Sequence, residues 1–313
     1  MKLNDLNSLF HTKAITKSEY IDRMFDRHKS LFEYAQFISH TDVSKIEIKN
    51  AQVIFTIRAV GEEIQLVCAP DDKRSTPIDT LNFGQYEPAE TKIMLSLIKE
   101  NTVSLDIGAN IGFYSILIAR RSRKGRVFAF EPIPTTYRML QTHIELNGIS
   151  NIETYNFGFS EIEQEVNFYF TPHLSAAASL SNIISDSSVE EVTGRVKKLD
   201  DWIKEKNPII DFIKCDVEGA ELLVFRGGLN TIRTHQPIIF SELLRKWAAK
   251  FGYHPDDIIN LLSPLGYNCY GIGSQKLSQI KNVQENTEET NFLFFHRKKH
   301  QNEIGMLKQE GLL

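Results

Sequence analysis

The feature that most constrains the fold is a glycine-rich turn that joins an apolar strand to a helix and precedes a second strand ending in an acid. The first strand is predicted over residues 103–107, and the turn Gly108-Ala-Asn-Ile-Gly112 leads into apolar residues at helical spacing. A second apolar strand over residues 127–130 is followed directly by Glu131 and Pro132. Glycine lets a ligand approach the main chain without a Cβ in the way, and the start of a helix offers free N–H groups to a carboxylate. The pattern therefore predicts a nucleoside site at the ends of two neighbouring strands.

The ligand that best fits these residues is S-adenosylmethionine, with S-adenosylhomocysteine as the product. Glu131 can accept hydrogen bonds from two ribose hydroxyls. Asp106 would repel a pyrophosphate but would attract a positively charged sulfonium and amino group. A nicotinamide dinucleotide site also places an acid about 20 residues after its glycines, but here Asn110 stands where that motif has a glycine. The other alternative is a nucleotide-binding fold that has lost its catalytic activity.

The cofactor contacts predicted around the turn and the second strand form one group. They are Asp106, Gly108, Ala109, Asn110, Gly112, Phe113, Glu131 and Pro132. Gly158 joins them, because it follows the third predicted strand and should lie near the adenine edge.

Composition narrows the class of protein. The chain has 313 residues, of which 42% are apolar and 24% charged, as in ordinary globular proteins. Its net charge of −4 gives no indication of nucleic acid binding. Three cysteines without a C-x-x-C pair argue against both a disulfide framework and a structural zinc site. Because there is neither an apolar signal segment nor a run of about 18 apolar residues, we expect a cytoplasmic protein without a transmembrane segment.

The pattern of elements divides the chain into three parts, residues 1–85, 86–300 and 301–313. In the first part, residues 17–38 carry apolar side chains at helical spacing, and a β-hairpin is predicted at Val60 and Gly61. We expect this part to form a small N-terminal α/β appendage. It could shape a substrate pocket or form the contact of a homo-oligomer, and its sequence does not choose between them. The last part is predicted to be a C-terminal tail.

From Pro88 onward, strand and helix patterns alternate. This alternation implies an α/β fold with a mostly parallel sheet and helices on both of its faces. Residues 171–195 are rich in small and polar residues. Such a segment inside an α/β domain is either a lid or substrate loop or a plain surface excursion.

The motifs resemble those of the FkbM-type methyltransferases over roughly residues 74–296. The resemblance is carried by the turn at 106–112, by Phe130-Glu-Pro132, by the block Lys214-Cys-Asp-Val-Glu-Gly-Ala-Glu221 and by residues 291–295. It implies a Rossmann-like class I methyltransferase fold with seven strands, the last of them antiparallel. It also implies methylation of hydroxyl groups on sugars and other natural products.

The resemblance also indicates where the reaction takes place. In open α/β sheets, ligands bind beyond the carboxyl ends of the strands where the strand order reverses. In the implied architecture Asp216 ends a strand at this point and should face the cofactor and its methyl group, and Glu242 ends the neighbouring strand. The lead-in Tyr86-Glu-Pro88 suggests that Tyr86 covers the cofactor. We expect Lys214, which is unusual in a central strand, to pair with Glu221 or Glu242.

Transfer to a hydroxyl requires a base, because the hydroxyl must lose its proton. Asp216 is the first candidate, Glu242 the second, and His173 in the predicted lid the third. Asp216 could instead cap the following helix. Asp216 and Glu242 could also share a divalent metal ion, but no third ligand is apparent, so we predict a site without metal.

The sequence thus predicts an S-adenosylmethionine-dependent O-methyltransferase acting on a small molecule or glycan. The alternatives are a methyltransferase for RNA or protein and a cofactor-binding protein without turnover. Two basic runs, residues 120–124 and 296–300, are interpreted as solvated faces, since neither is interleaved with the aromatic residues typical of nucleic acid surfaces.

Overall fold

The computed structural model of the protein describes residues 1–171, 174–179 and 190–313. Its N-terminal part contains helices and a three-stranded antiparallel sheet in the order β1-β2-β3. These elements are α1 (Leu3–His11), α2 (Lys17–His28), α3 (Ser30–Phe37), β1 (Val43–Lys49), β2 (Gln52–Ala59), β3 (Glu62–Cys68) and α4 (Thr76–Phe83). Val60 and Gly61 both have positive φ, as a two-residue turn between antiparallel strands requires. The predicted hairpin is therefore present.

A second and larger sheet organises the rest of the chain. Its strands are β4 (Val103–Ile107), β5 (Arg126–Phe130), β6 (Ile152–Tyr155), β11 (Phe212–Cys215), β12 (Ile238–Glu242), β13 (Tyr267–Ile272), β14 (Leu277–Ile280) and β15 (Asn291–His296). They lie in the order β14-β13-β15-β12-β11-β4-β5-β6. β4, β5, β6, β11 and β12 are parallel, whereas β15 is antiparallel to both of its neighbours. The predicted fold class is confirmed, and β14 extends the expected seven strands at one edge.

Helices cover both faces of this sheet. They are α5 (Pro88–Leu97), α6 (Phe113–Arg121), α7 (Pro134–Leu146), α8 (Leu199–Lys206), α9 (Glu221–Gly227), α10 (Leu229–His235), α11 (Arg245–Ala248), α12 (Pro255–Leu262) and α13 (Gln301–Gln309). Alternate strand residues enter two separate apolar clusters: Phe240 packs with α5, α6 and α7, and Ile239 packs with α8, α9 and α12. The single helix predicted over 219–234 is two helices that meet at Gly228, where a Cβ would lie 2.7 Å from the Leu199 side chain.

The N-terminal sheet packs against the larger domain. Phe55 and Leu66 belong to the same apolar cluster as residues of α6 and α7. The backbone N–H of Val67 donates to Nε2 of His143, and Asn147 bonds the backbone of Gln65. The predicted tail contains α13, and its Leu307 side chain is buried. The boundaries near residues 85 and 300 stay predictions.

A four-stranded sheet separates β6 from α8. It contains β7 (Gly158–Phe159), β8 (Gln164–Thr171), β9 (Leu174–Ser179) and β10 (Glu190–Lys197), in the order β7-β10-β8-β9. The segment predicted to be either a lid or a surface excursion thus contributes strands to this sheet, whereas His173 lies outside the described residues. Among the helices of the described residues, none combines the length and apolar character needed to cross a bilayer.

Candidate active site

The glycine turn is held between the ends of β5 and β11. The N–H groups of Gly108 and Ala109 both donate to the carbonyl of Phe130, at 3.0 and 2.9 Å. Gly108 has a φ of +79°, and a Cβ built on it would lie 1.8 Å from the backbone oxygen of Asp216. Only glycine combines this backbone conformation with so close a contact. The turn predicted to bind the cofactor therefore lies directly against the residue predicted to act as the base.

Glu131 links the end of β5 to the turn. Its side chain is buried, with 5% of its area exposed. One carboxylate oxygen accepts from the N–H of Asn110 at 3.0 Å and the other from the N–H of Ile133 at 2.9 Å. Burial raises the pKa of Glu131 to about 7, although the two N–H groups oppose this shift. Each oxygen retains a lone pair for a further donor.

Other predicted cofactor residues surround this pair. The Asn110 side-chain oxygen is buried and has no hydrogen-bond partner within the described ranges. Gly112 immediately precedes α6 with a φ of +93°. A Cβ on Gly158 would lie 3.6 Å from the Pro132 ring, so these two residues are neighbours. The predicted positions therefore converge at the carboxyl ends of β4 and β5, and their contact with a cofactor stays a prediction.

Asp106 is the second-to-last residue of β4, and one residue separates it from the turn. Its side chain has no exposed area, and it accepts a hydrogen bond from the Ser115 hydroxyl at 2.5 Å. Lys214 Nζ lies 3.5 Å from its other carboxylate oxygen. Asp106 is thus held in place by Ser115 and Lys214. The predicted attraction of Asp106 for the sulfonium or amino group of the cofactor stays a prediction.

Lys214 pairs with Asp106 and Asp216, and the predicted pairing with Glu221 or Glu242 is wrong. β11 and β4 are parallel neighbours, and their register places Lys214 directly beside Asp106. Side chains paired in this way lie on the same face of the sheet. Lys214 Nζ also lies 3.3 Å from a carboxylate oxygen of Asp216 and 3.4 Å from the carbonyl oxygen of Gly108. This buried cation therefore connects the turn to the end of β11.

Asp216 has no role as a helix cap. α9 begins at Glu221, whose carboxylate accepts from the N–H groups of Val217 and Gly219 at 3.0 and 3.1 Å. Glu221 also accepts from the Tyr253 hydroxyl at 3.1 Å. Glu221 therefore stabilises the turn after β11, and the side chain of Asp216 remains partly exposed.

Three carboxylates meet at the ends of β11 and β12. Asp216, Glu218 and Glu242 each offer an oxygen within 4.8 Å of the other two. Burial raises the pKa of Glu242 well above its usual range, and the charges of Asp216 and Glu218 act in the same direction. Burial among these acids therefore favours the protonated form of Glu242. Asp216 and Glu242, two of the three predicted bases, are thus brought together.

Glu218 was not among the predicted site residues. It adopts a φ of +53°, a conformation that is uncommon outside glycine. It supplies the third oxygen donor whose absence argued against metal, and three carboxylates are suitable ligands for a hard divalent cation. The geometry therefore permits a metal ion but does not by itself call for one.

Glu87 is a further acid that sequence reasoning missed. It precedes α5 with a φ of +43°, and its carboxylate accepts from the Tyr114 hydroxyl. Burial raises its pKa to about 7, and the charge of Asp216 acts in the same direction. The neighbouring Tyr86 packs against Phe113, with ring centroids 5.1 Å apart. An acid just before a helix is normally explained by the helix dipole. The sequence therefore contained no distinct signal that Glu87 belongs to the site.

We predict that changing Glu87 to Gln makes the free energy of unfolding less dependent on pH. The raised pKa means that folded Glu87 keeps a proton between its ordinary value of 4.5 and about 7, where the unfolded chain has lost it. This contribution to stability therefore declines as the pH rises through 7. From pH 6 to pH 8, E87Q should gain about 1 kcal/mol relative to the unchanged protein, as measured by urea denaturation. The exposed control E205Q should show no such gain, and a constant difference for E87Q would contradict the prediction.

A family model and several known proteins that match this chain are all described as methyltransferases. A family model described as the methyltransferase FkbM domain matches residues 106–269, just over half of the chain. Methyltransferase sdnD of Sordaria araneosa is 28% identical over 179 residues, which cover 48% of this chain and 68% of that protein. The hexuronic acid methyltransferase AglP of Haloferax volcanii is 25% identical over 173 residues, which cover 55% and 66%.

Two further matches cover less of the other protein. Methyltransferase 1 of Beauveria bassiana is 26% identical over 146 residues, which cover 41% of this chain and 59% of that protein. A crystal structure of a methyltransferase FkbM from Methylobacillus flagellatus KT aligns with a TM-score of 0.41 at 20% identity, covering 63% of this chain and 44% of that one. The chain thus spans between 59% and 68% of the length of the three curated relatives named here.

Proposed function

Because the chain belongs to the FkbM family of methyltransferases, we propose that it transfers a methyl group from S-adenosylmethionine to a hydroxyl of a sugar, glycoconjugate or other natural product. The contact between Gly108 and the backbone oxygen of Asp216 is the observation that carries this proposal. It joins the cofactor turn to a partly exposed carboxylate. A base beside the cofactor is what methylation of a hydroxyl requires.

The residues at the turn fit the cofactor. The lone pairs left on Glu131 can accept both ribose hydroxyls, and the unpartnered oxygen of Asn110 can accept a further donor. Pro132 and Gly158 would border the adenine. When bound, S-adenosylmethionine supplies an activated methyl group. The protein supplies the orientation, which accounts for much of the acceleration of reactions between two bound molecules.

Asp216 is the proposed base. Its side chain is 32% exposed, so an acceptor hydroxyl can reach it. Lys214 holds the carboxylate in place from the buried side. Asp216 therefore accepts the proton that leaves the hydroxyl. The protonated form of Glu242 can donate a hydrogen bond to a neighbouring oxygen of the acceptor, which helps to orient it.

The charges favour an acceptor that is neutral near the reacting hydroxyl. Glu87, Glu218 and Glu242 surround Asp216, and Lys214 is already paired with two carboxylates. A phosphate or carboxylate next to the reacting atom would be repelled. This supports a sugar or natural product over RNA.

The two basic runs are consistent with this choice. Arg120 pairs with Glu62, and Lys124 pairs with Glu100. In the second run, Arg297 donates to the carbonyls of Ser263 and Gly266. Much of the positive charge thus serves contacts within the chain.

The direct test is to incubate the purified protein with labelled S-adenosylmethionine and a panel of glycans, nucleotide sugars, small alcohols, RNA and peptides. We expect one or more hydroxyl-bearing small molecules to gain the mass of one methyl group. Methylation of RNA or peptide alone would contradict the proposal. Cofactor binding without any methylated product would instead favour a binding protein without turnover.

We predict that changing Glu131 to Gln weakens S-adenosylmethionine binding by roughly 10- to 100-fold, because a hydrogen bond to a charged group contributes about 1.5–3 kcal/mol. Isothermal titration calorimetry at pH 8 measures the change. The exposed control E145Q should bind as the unchanged protein does. Equal affinity of E131Q and the unchanged protein would remove Glu131 from the cofactor site.

A further inference from the structure

Glu87 and Tyr114 form a hydrogen bond beside the cofactor turn that the proposed proton transfer does not use. Tyr114 is the second residue of α6, which begins directly after Gly112. Its side chain is buried, and its hydroxyl donates to one carboxylate oxygen of Glu87. The other oxygen of Glu87 accepts no hydrogen bond from the described residues, and the Glu87 side chain is half-buried. The pair thus holds a carboxylate with one unused oxygen at the first turn of α6.

The charge of this carboxylate is not balanced by a neighbouring cation. Glu87 forms no ion pair within the described ranges of the chain, and Lys214 is shared between Asp106 and Asp216. Burial raises the pKa of Glu87 to about 7, and the charge of Asp216 acts in the same direction. A nearby positive charge would oppose both effects and favour the ionised form. A cationic group of a ligand would therefore supply the charge that the chain itself does not.

The start of α6 offers hydrogen-bond donors next to Glu87. The N–H groups of Phe113 and Tyr114 have no acceptor among the residues that the structure describes, and no side chain caps this helix. The first N–H groups of a helix attract an anion such as a carboxylate. An α-amino acid carries its ammonium group on the carbon next to its carboxylate. A ligand whose carboxylate binds these N–H groups therefore places its ammonium group near the same helical turn, where Glu87 lies.

Asp106 is the acid that the sequence predicted to attract the amino group, and it also contacts the first turn of α6. Its carboxylate accepts from the Ser115 hydroxyl and lies 3.5 Å from Lys214 Nζ. The charge of Asp106 is therefore already offset by a cation of the chain, whereas the charge of Glu87 is not. This difference favours Glu87 as the partner of an ammonium group.

S-adenosylmethionine ends in an α-amino acid, so it carries both groups that this turn would bind. We propose that Glu87 binds the α-ammonium group of S-adenosylmethionine and that Tyr114 holds the Glu87 carboxylate in position. The inference rests on the proposed function, because it names a further contact of the same cofactor. A hydrogen bond between two charged groups is stronger than one between neutral groups. Glu87 therefore makes the site selective for a nucleoside that carries the complete amino acid.

Calorimetric binding of two nucleosides at pH 8 tests this contact. The first is S-adenosylhomocysteine, and the second is its desamino analogue, in which hydrogen replaces the ammonium group. Neither carries the sulfonium charge, so their comparison isolates the ammonium. The unchanged protein should prefer S-adenosylhomocysteine, and E87Q should lower this preference by about 10-fold or more. E87Q should bind the desamino analogue at least as tightly as the unchanged protein does, because no charged side chain then faces the carboxylate of the ligand.

Two further variants make the result specific. Y114F keeps the ring but removes the hydroxyl that holds Glu87, so it should weaken S-adenosylhomocysteine binding several-fold and leave the desamino analogue unaffected. The exposed control E205Q should keep the full preference. Retained binding of the desamino analogue verifies that each variant is folded.

The two ligands also separate the possible failures. If E87Q keeps the full preference for S-adenosylhomocysteine, or loses affinity for both ligands equally, Glu87 does not bind the ammonium group and the proposal is overturned. If the unchanged protein binds neither nucleoside, the proposed function itself fails, and this inference fails with it.

Discussion

Changing Asp216 to Asn is expected to lower the rate of methyl transfer by about 100- to 10,000-fold, the usual contribution of a positioned base. Asparagine has nearly the same shape but cannot accept the proton of the acceptor hydroxyl. Lys214 keeps its pairing with Asp106 in this variant, so the end of β11 should remain folded. Turnover of the acceptor identified in the panel gives the rate, and calorimetry should show S-adenosylmethionine affinity within a few-fold of the parent.

Two comparisons make this result specific. D201N changes an exposed acid in α8 and should leave turnover unchanged. E242Q should lower turnover less than D216N, because Glu242 is proposed to orient the acceptor. Full activity of D216N would place the base elsewhere. Loss of activity on treatment with a strong chelator would instead support a metal ion held by Asp216, Glu218 and Glu242.

The second large effect is expected for Gly108→Ala. The added Cβ would lie 1.8 Å from the backbone oxygen and 2.9 Å from the backbone carbon of Asp216. Backbone atoms cannot move aside as the end of a flexible side chain can, and the φ of +79° is also unfavourable for alanine. We expect a loss of stability of about 4 kcal/mol or more, and loss of S-adenosylmethionine binding in any protein that folds.

Gly148→Ala is the matched control for the backbone conformation. Gly148 also has a positive φ, +63°, but a Cβ there meets no atom within 4 Å. The loss of stability in G148A should therefore come from the backbone conformation alone, about 1–2 kcal/mol. Urea denaturation of both variants separates the two contributions. If G108A were no less stable than G148A, the contact between the turn and Asp216 would not be rigid.

Local spacing predicted the parts of the fold that depend on neighbouring residues. The glycine turn at 108–112, the acid after β5 and the hairpin at Val60 and Gly61 follow from backbone requirements that each segment carries by itself. Alternation of strands and helices predicted the sheet and its two covered faces. The resemblance to a family then indicated that Asp216 and Glu242 end adjacent strands, as they do.

Contacts between segments that are distant in the sequence were harder to predict from local patterns. The partner of Lys214 depends on the register of β11 against β4, which no local pattern specifies. Glu218 enters the carboxylate group only because its backbone adopts a positive φ. Glu87 reaches the site from a turn that precedes the first core helix, in a part of the sequence distant from Asp216.

The sequence by itself determined which segments form helices, strands and the cofactor turn. These elements depend on the spacing of apolar residues and on glycine at particular positions. Only the tertiary structure decided which charges share a buried space and which apolar faces remain uncovered. Asp106 lies beside Lys214 in the register of β4 and β11, and large apolar side chains of α2 and α3 face solvent. Periodicity shows that a face is apolar, but the packing of the whole chain decides what covers it.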